Sequence, residues 1–192
     1  MDTGAIVAKL KERFAEAIGE VLYPNLDPQI VVDAQNFREV AEFVRNDPDI
    51  ACDWLMCITG LDLPPQEKKK KPAKKTKDEQ PVEEPPEEEP PGPYQVAAIY
   101  HLYSMKHRHR VTLRVVMERE GPHVASVAGI WPAANWHERE AYDLVGIVFD
   151  GHPDLRRILL PDDWEGHPLR KDYVVQDTYE IEGEQVRVPR GW

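Results

Sequence analysis

The stretch YQVAAIYHLYSMKHRHRVTLRVVME, residues Tyr94–Glu118, decides the fold class. Two apolar runs, Tyr94–Tyr103 and Arg110–Glu118, flank the polar link SMKHRH. In the second run Val111, Leu113, Val115 and Met117 point one way, and Thr112, Arg114 and Glu118 the other. Side chains alternate across a strand, so this is a half-buried strand of an antiparallel sheet. The short polar link makes the two runs a hairpin.

Upstream, the pattern turns helical. Ile6, Leu10, Phe14, Ala17, Ile18 and Val21 recur at helical spacing, which predicts a helix from about Gly4 to Leu22, ended by Pro24. QIVVD, Gln29–Asp33, reads as a short strand. Asn36 with Glu39 three residues on has capping-box spacing and opens a second helix, FREVAEFVRND. Cys52–Leu63 is apolar without a clear period and reads as a buried strand and its approach. Together these predict an α+β fold: a mostly antiparallel sheet with helices packed on one face, plus an extended C-terminal tail.

Residues 64–93 interrupt this plan. They hold 9 Pro, 7 Lys and 8 Asp or Glu, with Ala73 and Val82 the only apolar side chains. Such a segment cannot bury enough surface to offset the entropy of ordering it, and it reads as a disordered insertion. The organisation expected is one α+β domain from 1–63 and 94–172, the insertion 64–93, and a partner-binding tail over 173–192. That tail has no helical period and needs a partner to order it.

The totals exclude several classes. The net charge is −11, and the insertion is close to neutral, so the folded part is acidic. Phosphates and anionic headgroups are repelled, which argues against nucleic acid and against direct membrane binding. No run approaches eighteen apolar residues, so no membrane insertion is expected. Met1 leads into a charged amphipathic segment, and no N-terminal signal is read there. Cys52 and Cys57 are the only cysteines; they rule out a four-thiolate cluster and read as small buried hydrophobes.

The densest chemistry lies in WHEREAYDLVG, Trp136–Gly146, and GHPDLRRILLPDDWEGHPLRKDY, Gly151–Tyr173. A helix is expected over Trp136–Val145, with Asn135 and Glu138 forming a capping box and Gly146 as its stop. Arg139 and Asp143, one turn apart, can pair. Glu140 then faces outward beside Trp136 and needs a cation, with Arg156, Arg157 and Arg170 as candidates. HEREA begins like the zinc signature H-E-x-x-H, but Ala141 stands at the second histidine. The histidines are otherwise scattered, and His152 and His167 each sit in Gly-His-Pro, where fixing a turn is their expected role. Neither G-x-G-x-x-G nor a phosphate loop occurs. A standalone hydrolase using Glu138, Glu140 and His137 or His167 is the enzymatic alternative; the charge pattern favours side chains that hold over side chains that react.

At these residues the sequence resembles the 30-kDa subunit family of proton-translocating NADH:quinone oxidoreductase, respiratory complex I. The resemblance runs from about Trp131 to Tyr173. It includes Glu138, Arg139, Glu140, Tyr142, Asp143 and Gly146, then Gly151, His152, Pro153, Leu155, Arg156 and Arg157, and Gly166–Tyr173 with His167, Arg170 and Asp172. Two departures are Val145, where the family usually has a bulky aromatic or Met, and Val174, where Pro is usual. The resemblance implies a structural component of the hydrophilic arm with no catalytic, cofactor-binding or metal residue of its own. NADH, FMN, iron–sulfur clusters and quinone belong to the assembled complex. The implied partners are the subunit that forms the quinone site and the subunit that bears the terminal cluster, at the cytoplasmic face of the bacterial inner membrane. The interface set implied is Glu138, Arg139, Glu140, Asp143, His152, Arg156, Arg157, His167, Arg170 and Asp172. The equivalent component of a membrane-bound hydrogenase, or of another electron-donor:quinone dehydrogenase, is the alternative machine.

Overall fold

The computed structural model describes residues 3–23, 28–65 and 93–174, and the backbone of 178–181 and 184–187. Its order is α1 (Thr3–Arg13), β1 (Ile18–Leu22), β2 (Gln29–Val32), α2 (Phe37–Asn46), β3 (Trp54–Leu63), β4 (Gln95–Ser104) and β5 (His109–Glu118). There follow β6 (His123–Ala125), α3 (Ala134–Val145), β7 (Val148–Asp150), β8 (Thr178–Ile181) and β9 (Glu184–Arg187).

The hairpin sets the frame. β4 and β5 pair antiparallel from Gln95↔Glu118 to Ser104↔His109, and β3 adds antiparallel on β4. β2 joins the other side of β5 in parallel, and β1 closes that edge antiparallel. The five-stranded order is β1-β2-β5-β4-β3. The sheet is therefore mixed but mostly antiparallel, as the alternation in 110–118 predicts. Val111, Leu113, Val115 and Met117 are all buried.

The helices cover one face. Tyr100 lies opposite Ile58 and Leu113, and the Phe37 ring of α2 meets it at 4.4 Å. Gly60, two residues along β3 from Ile58, faces α3. A Cβ there would lie 3.0 Å from Val145 Cγ2. The valine at 145 thus fits a helix that rests almost on the strand backbone. Fully burying a side chain such as Phe37 or Ile30 contributes about 1.5–3 kcal/mol.

Three local expectations are corrected. The predicted first helix ends at Arg13. A turn follows, with the Ala17 and Ile18 amides donating to Phe14 O, and Ile18–Leu22 becomes β1. Ile18 and Val21 match a helical period, but Ile18 pairs with Val32 and Val21 with Ile30. Asn36 begins α2 without a side-chain cap, because its amide donates to Asp33 Oδ2 at 3.0 Å. Glu138 likewise caps nothing, and α3 starts earlier than expected, with Ala133 at its N-cap position.

β6 and β7 form a separate parallel pair, His123↔Val148 to Ala125↔Asp150. The extended tail includes β8 and β9, which pair antiparallel with each other from Thr178↔Arg187 to Ile181↔Glu184. The expectation of a disordered insertion at 64–93 falls almost wholly on residues outside those described, as does the rest of the tail.

Candidate functional site: a charge lock around helix α3

Gly146 ends α3 in the left-handed conformation, φ 84°, and its N–H donates to the carbonyls of Ala141 and Tyr142. This stop, expected from sequence, turns the chain into β7 and leaves the last carbonyls of α3 open to new donors. The segment 152–172 supplies them. Leu169 N donates to Leu144 O at 3.0 Å, Arg170 Nε to Val145 O at 2.8 Å, and His167 Nδ1 to Asp143 O at 2.9 Å. Cationic and N–H donors at a helix C-terminus also complement its dipole. The fit needs glycine: a Cβ on Gly146 would come within 2.5 Å of His167 Nε2 and 2.6 Å of Arg170 Nη2.

Asp143 is the centre of this lock. It is fully buried, and its Oδ2 accepts three successive amides: Ile158 at 3.1 Å, Leu159 at 2.8 Å and Leu160 at 2.9 Å. Its Oδ1 accepts from Arg157 Nη1 at 2.7 Å. Arg157 in turn donates through Nη2 to Trp164 O and Gly166 O, at 2.9 and 3.1 Å. Burial is the largest single influence on the Asp143 carboxyl and pushes its pKa up. The amides of Leu160 and Leu159, the Arg157 guanidinium and the Ile158 amide together outweigh it and hold the group below its ordinary range. For His167, burial is the main cause of a lowered pKa, with Arg170 and Arg157 adding to it.

Arg139 pairs differently from the expectation. It does not take Asp143; its Nε and Nη2 donate to the carbonyls of Arg156 and Arg157, each at 3.2 Å, beneath the Trp136 ring. Neighbouring positions on a helix can pair, but the three-amide nest and Arg157 satisfy Asp143 better than one flexible guanidinium could. Glu140 also differs. It meets no arginine among the described residues; its partner is His137 at 4.0 Å, and its side chain is half exposed. Arg156 is exposed and pairs with Asp154 at 2.8 Å.

Glu138 and His152 lie apart from the lock, on the β6/β7 side of α3. Both side chains are fully buried, 3.9 Å apart. Glu138 Oε2 accepts from Ser126 Oγ at 2.6 Å and Oε1 from the Val127 amide at 2.7 Å. Burial raises the Glu138 carboxyl to about 7, against the lowering effect of those two bonds.

A second clasp escapes the sequence reading. Asp62 on β3 is buried, accepts the Lys171 amide at 2.7 Å and faces Arg119 Nε at 3.5 Å. Arg119 also binds Asp172 and lies over the Tyr94 ring. Asp62 is the one charge in the apolar strand WLMCITGLDL, and that is the available signal. Ser126 carries none. Cys52 and Cys57 are free thiols; Cys52 is buried and its pKa is pushed up to about 12, first by burial and then by Asp53. Among the described residues no group of three or more His, Cys, Asp or Glu could hold a metal ion, and no helix is long and apolar enough to cross a membrane.

Known proteins share this fold. In solved structures, a trypsin-resistant fragment (1-134) of Nqo5 superposes with a TM-score of 0.53 at 27% identity, covering 78% of this chain and 98% of that one. A membrane-bound sulfane sulfur reductase, an archaeal respiratory membrane complex, contains a chain of the same fold: TM-score 0.59, 18% identity, 95% of this chain and 98% of that one. Residues 30–179 match the family "Respiratory-chain NADH dehydrogenase, 30 Kd subunit", and the chain belongs to that family. Two proteins, each named as the C component of NADH-quinone oxidoreductase, are 37% identical over 172 residues and 88% of this chain. The match spans 60% of the Chloroherpeton thalassium protein and 87% of the Chlorobium phaeobacteroides protein. The hydrogenase-type alternative is not favoured by these matches.

Proposed function

We propose that this chain is a structural component of the hydrophilic arm of an NADH:quinone oxidoreductase. In this reading it packs on the quinone-site and terminal-cluster subunits and holds no cofactor of its own. Electron transfer from NADH to quinone, coupled to proton translocation, is the work of the assembly, at the cytoplasmic face of the bacterial membrane. The observation that carries the reading is the use made of the charges in the C-terminal third. Asp143, Arg157, Arg139, His167 and Arg170 are spent on backbone groups and on each other, fixing 156–172 against α3. Side chains so committed are anchors. Glu140, Arg156 and Asp172 pair within the chain with His137, Asp154 and Arg119 but stay at least half exposed, and they are the charges within reach of neighbours.

The test is a pull-down of tagged chain from detergent-solubilised membranes. Recovery of the quinone-site and cluster-bearing subunits is expected. Recovery of the chain alone, from the soluble fraction, contradicts the reading.

A further inference from the structure

We propose that Glu138 is a buried proton-binding site, its carboxyl held protonated while α3 is docked on the 126–128 and 152–154 segments. The argument begins with His152. Its Nδ1 accepts the Asp154 amide at 3.0 Å, so Nδ1 carries no proton. Its Nε2 lies 3.1 Å from Asn135 O, which can only accept, so the ring is the neutral Nε2–H form. The imidazole beside Glu138 therefore brings no positive charge.

Among the described residues no other neighbour supplies one. From β4 the facing titratable group is Tyr100, fully buried, whose hydroxyl has no hydrogen-bond partner there and whose ionisation Glu138 opposes. The β6 side contributes Ser126 and the Val127 amide, both neutral donors. From α2, packed against β6, the inward residues are Phe37, Val40, Ala41 and Val44. On α3 itself, Arg139 is committed to the carbonyls of Arg156 and Arg157. A carboxylate shut away from water with two neutral hydrogen bonds and no cation takes up a proton from solvent instead of keeping its charge.

The site adjoins the turn after β7. The His152 ring that lies 3.9 Å from the Glu138 carboxyl also accepts the Asp154 amide and donates to Asn135 O, so the carboxyl sits beside the hydrogen bonds that seat 152–154.

The test uses the full chain labelled with 13C-glutamate and follows the carboxyl signals by NMR between pH 4 and 9. One glutamate is expected to titrate roughly one pH unit or more above the rest. That resonance disappears in Glu138→Gln. In Ser126→Ala its midpoint moves higher still, because a bond that favours the charged form is gone. Should Glu138→Gln not fold, the Ser126→Ala shift decides alone. Ordinary titration of every glutamate overturns the proposal, as does a late-titrating one that Ser126→Ala leaves unmoved.

Discussion

The Asp143 carboxylate and the Arg157 guanidinium meet at 2.7 Å across the gap between α3 and the segment that follows β7, with the carboxylate fully buried. The pair joins residues 14 apart in sequence, and the amides of Ile158, Leu159 and Leu160 close around the same carboxylate. Removing one partner of such a buried pair leaves an uncompensated charge, so Asp143→Ala is expected to cost about 3–5 kcal/mol. Urea unfolding of the full chain measures it, and a loss under ~1 kcal/mol contradicts the account.

The same carboxylate sets an acid limb. Its folded pKa is held below the unfolded value of 3.8, so the stability it contributes is complete above pH 3.8 and is lost as pH falls through the folded value. Between pH 5 and 2 the native chain is expected to lose more stability than Asp143→Asn does. Parallel curves for the two proteins rule this out.

His167 acts at higher pH. Its folded pKa lies below 6.5, so the unfolded chain binds the proton more readily and stability falls as pH drops below 6.5. Replacement by Gln removes that dependence. Thermal unfolding of the two proteins between pH 5 and 7 provides the check, with the native chain expected to show the steeper loss toward acid.

Gly146→Ala combines two penalties. The left-handed backbone costs a non-glycine residue roughly 1–2 kcal/mol. The added methyl also displaces His167 and Arg170, whose side chains occupy its place. The variant is expected to unfold at lower urea than Gly151→Ala, where a Cβ at a comparable φ of 80° meets nothing within 4 Å. Equal effects at the two glycines exclude the close approach as the cause.

Glu140→Ala and Arg156→Ala test the proposed function. Both side chains are at least half exposed. Each variant is expected to leave the thermal midpoint of the isolated chain nearly unchanged, while lowering its recovery in the assembled complex. Normal assembly with equal destabilisation of the free chain sinks the distinction.

β5 is legible in the sequence, because Val111, Leu113, Val115 and Met117 alternate with polar residues and are buried; β4 is legible as an apolar run beside it, with Val96–Tyr100 buried on both faces. The short strand β1 is not: Ile18 and Val21 are apolar at spacings that suit either a helix or a paired edge, and only the ladder to Val32 and Ile30 decides. Gly146 can be read because its backbone geometry is a local property. Asp143 is visible as one of four charges on α3, yet helical spacing points to the wrong partner. Choosing Arg157 over Arg139 depends on where residues 156–160 return in space, which no local spacing encodes. Glu138 has a ready local explanation as a cap, and that hides its burial.

Leu63 and Gln95 are directly opposed as the last pair of the β3–β4 ladder, so everything between them leaves and re-enters at a single gap. The length of the intervening chain is then decoupled from the architecture of the sheet. A short hairpin loop could bridge that gap, and so could a fused reporter protein. The position is a natural splice point for engineering this protein as long as Asp62 and Tyr94, which flank the gap and hold Arg119, are kept.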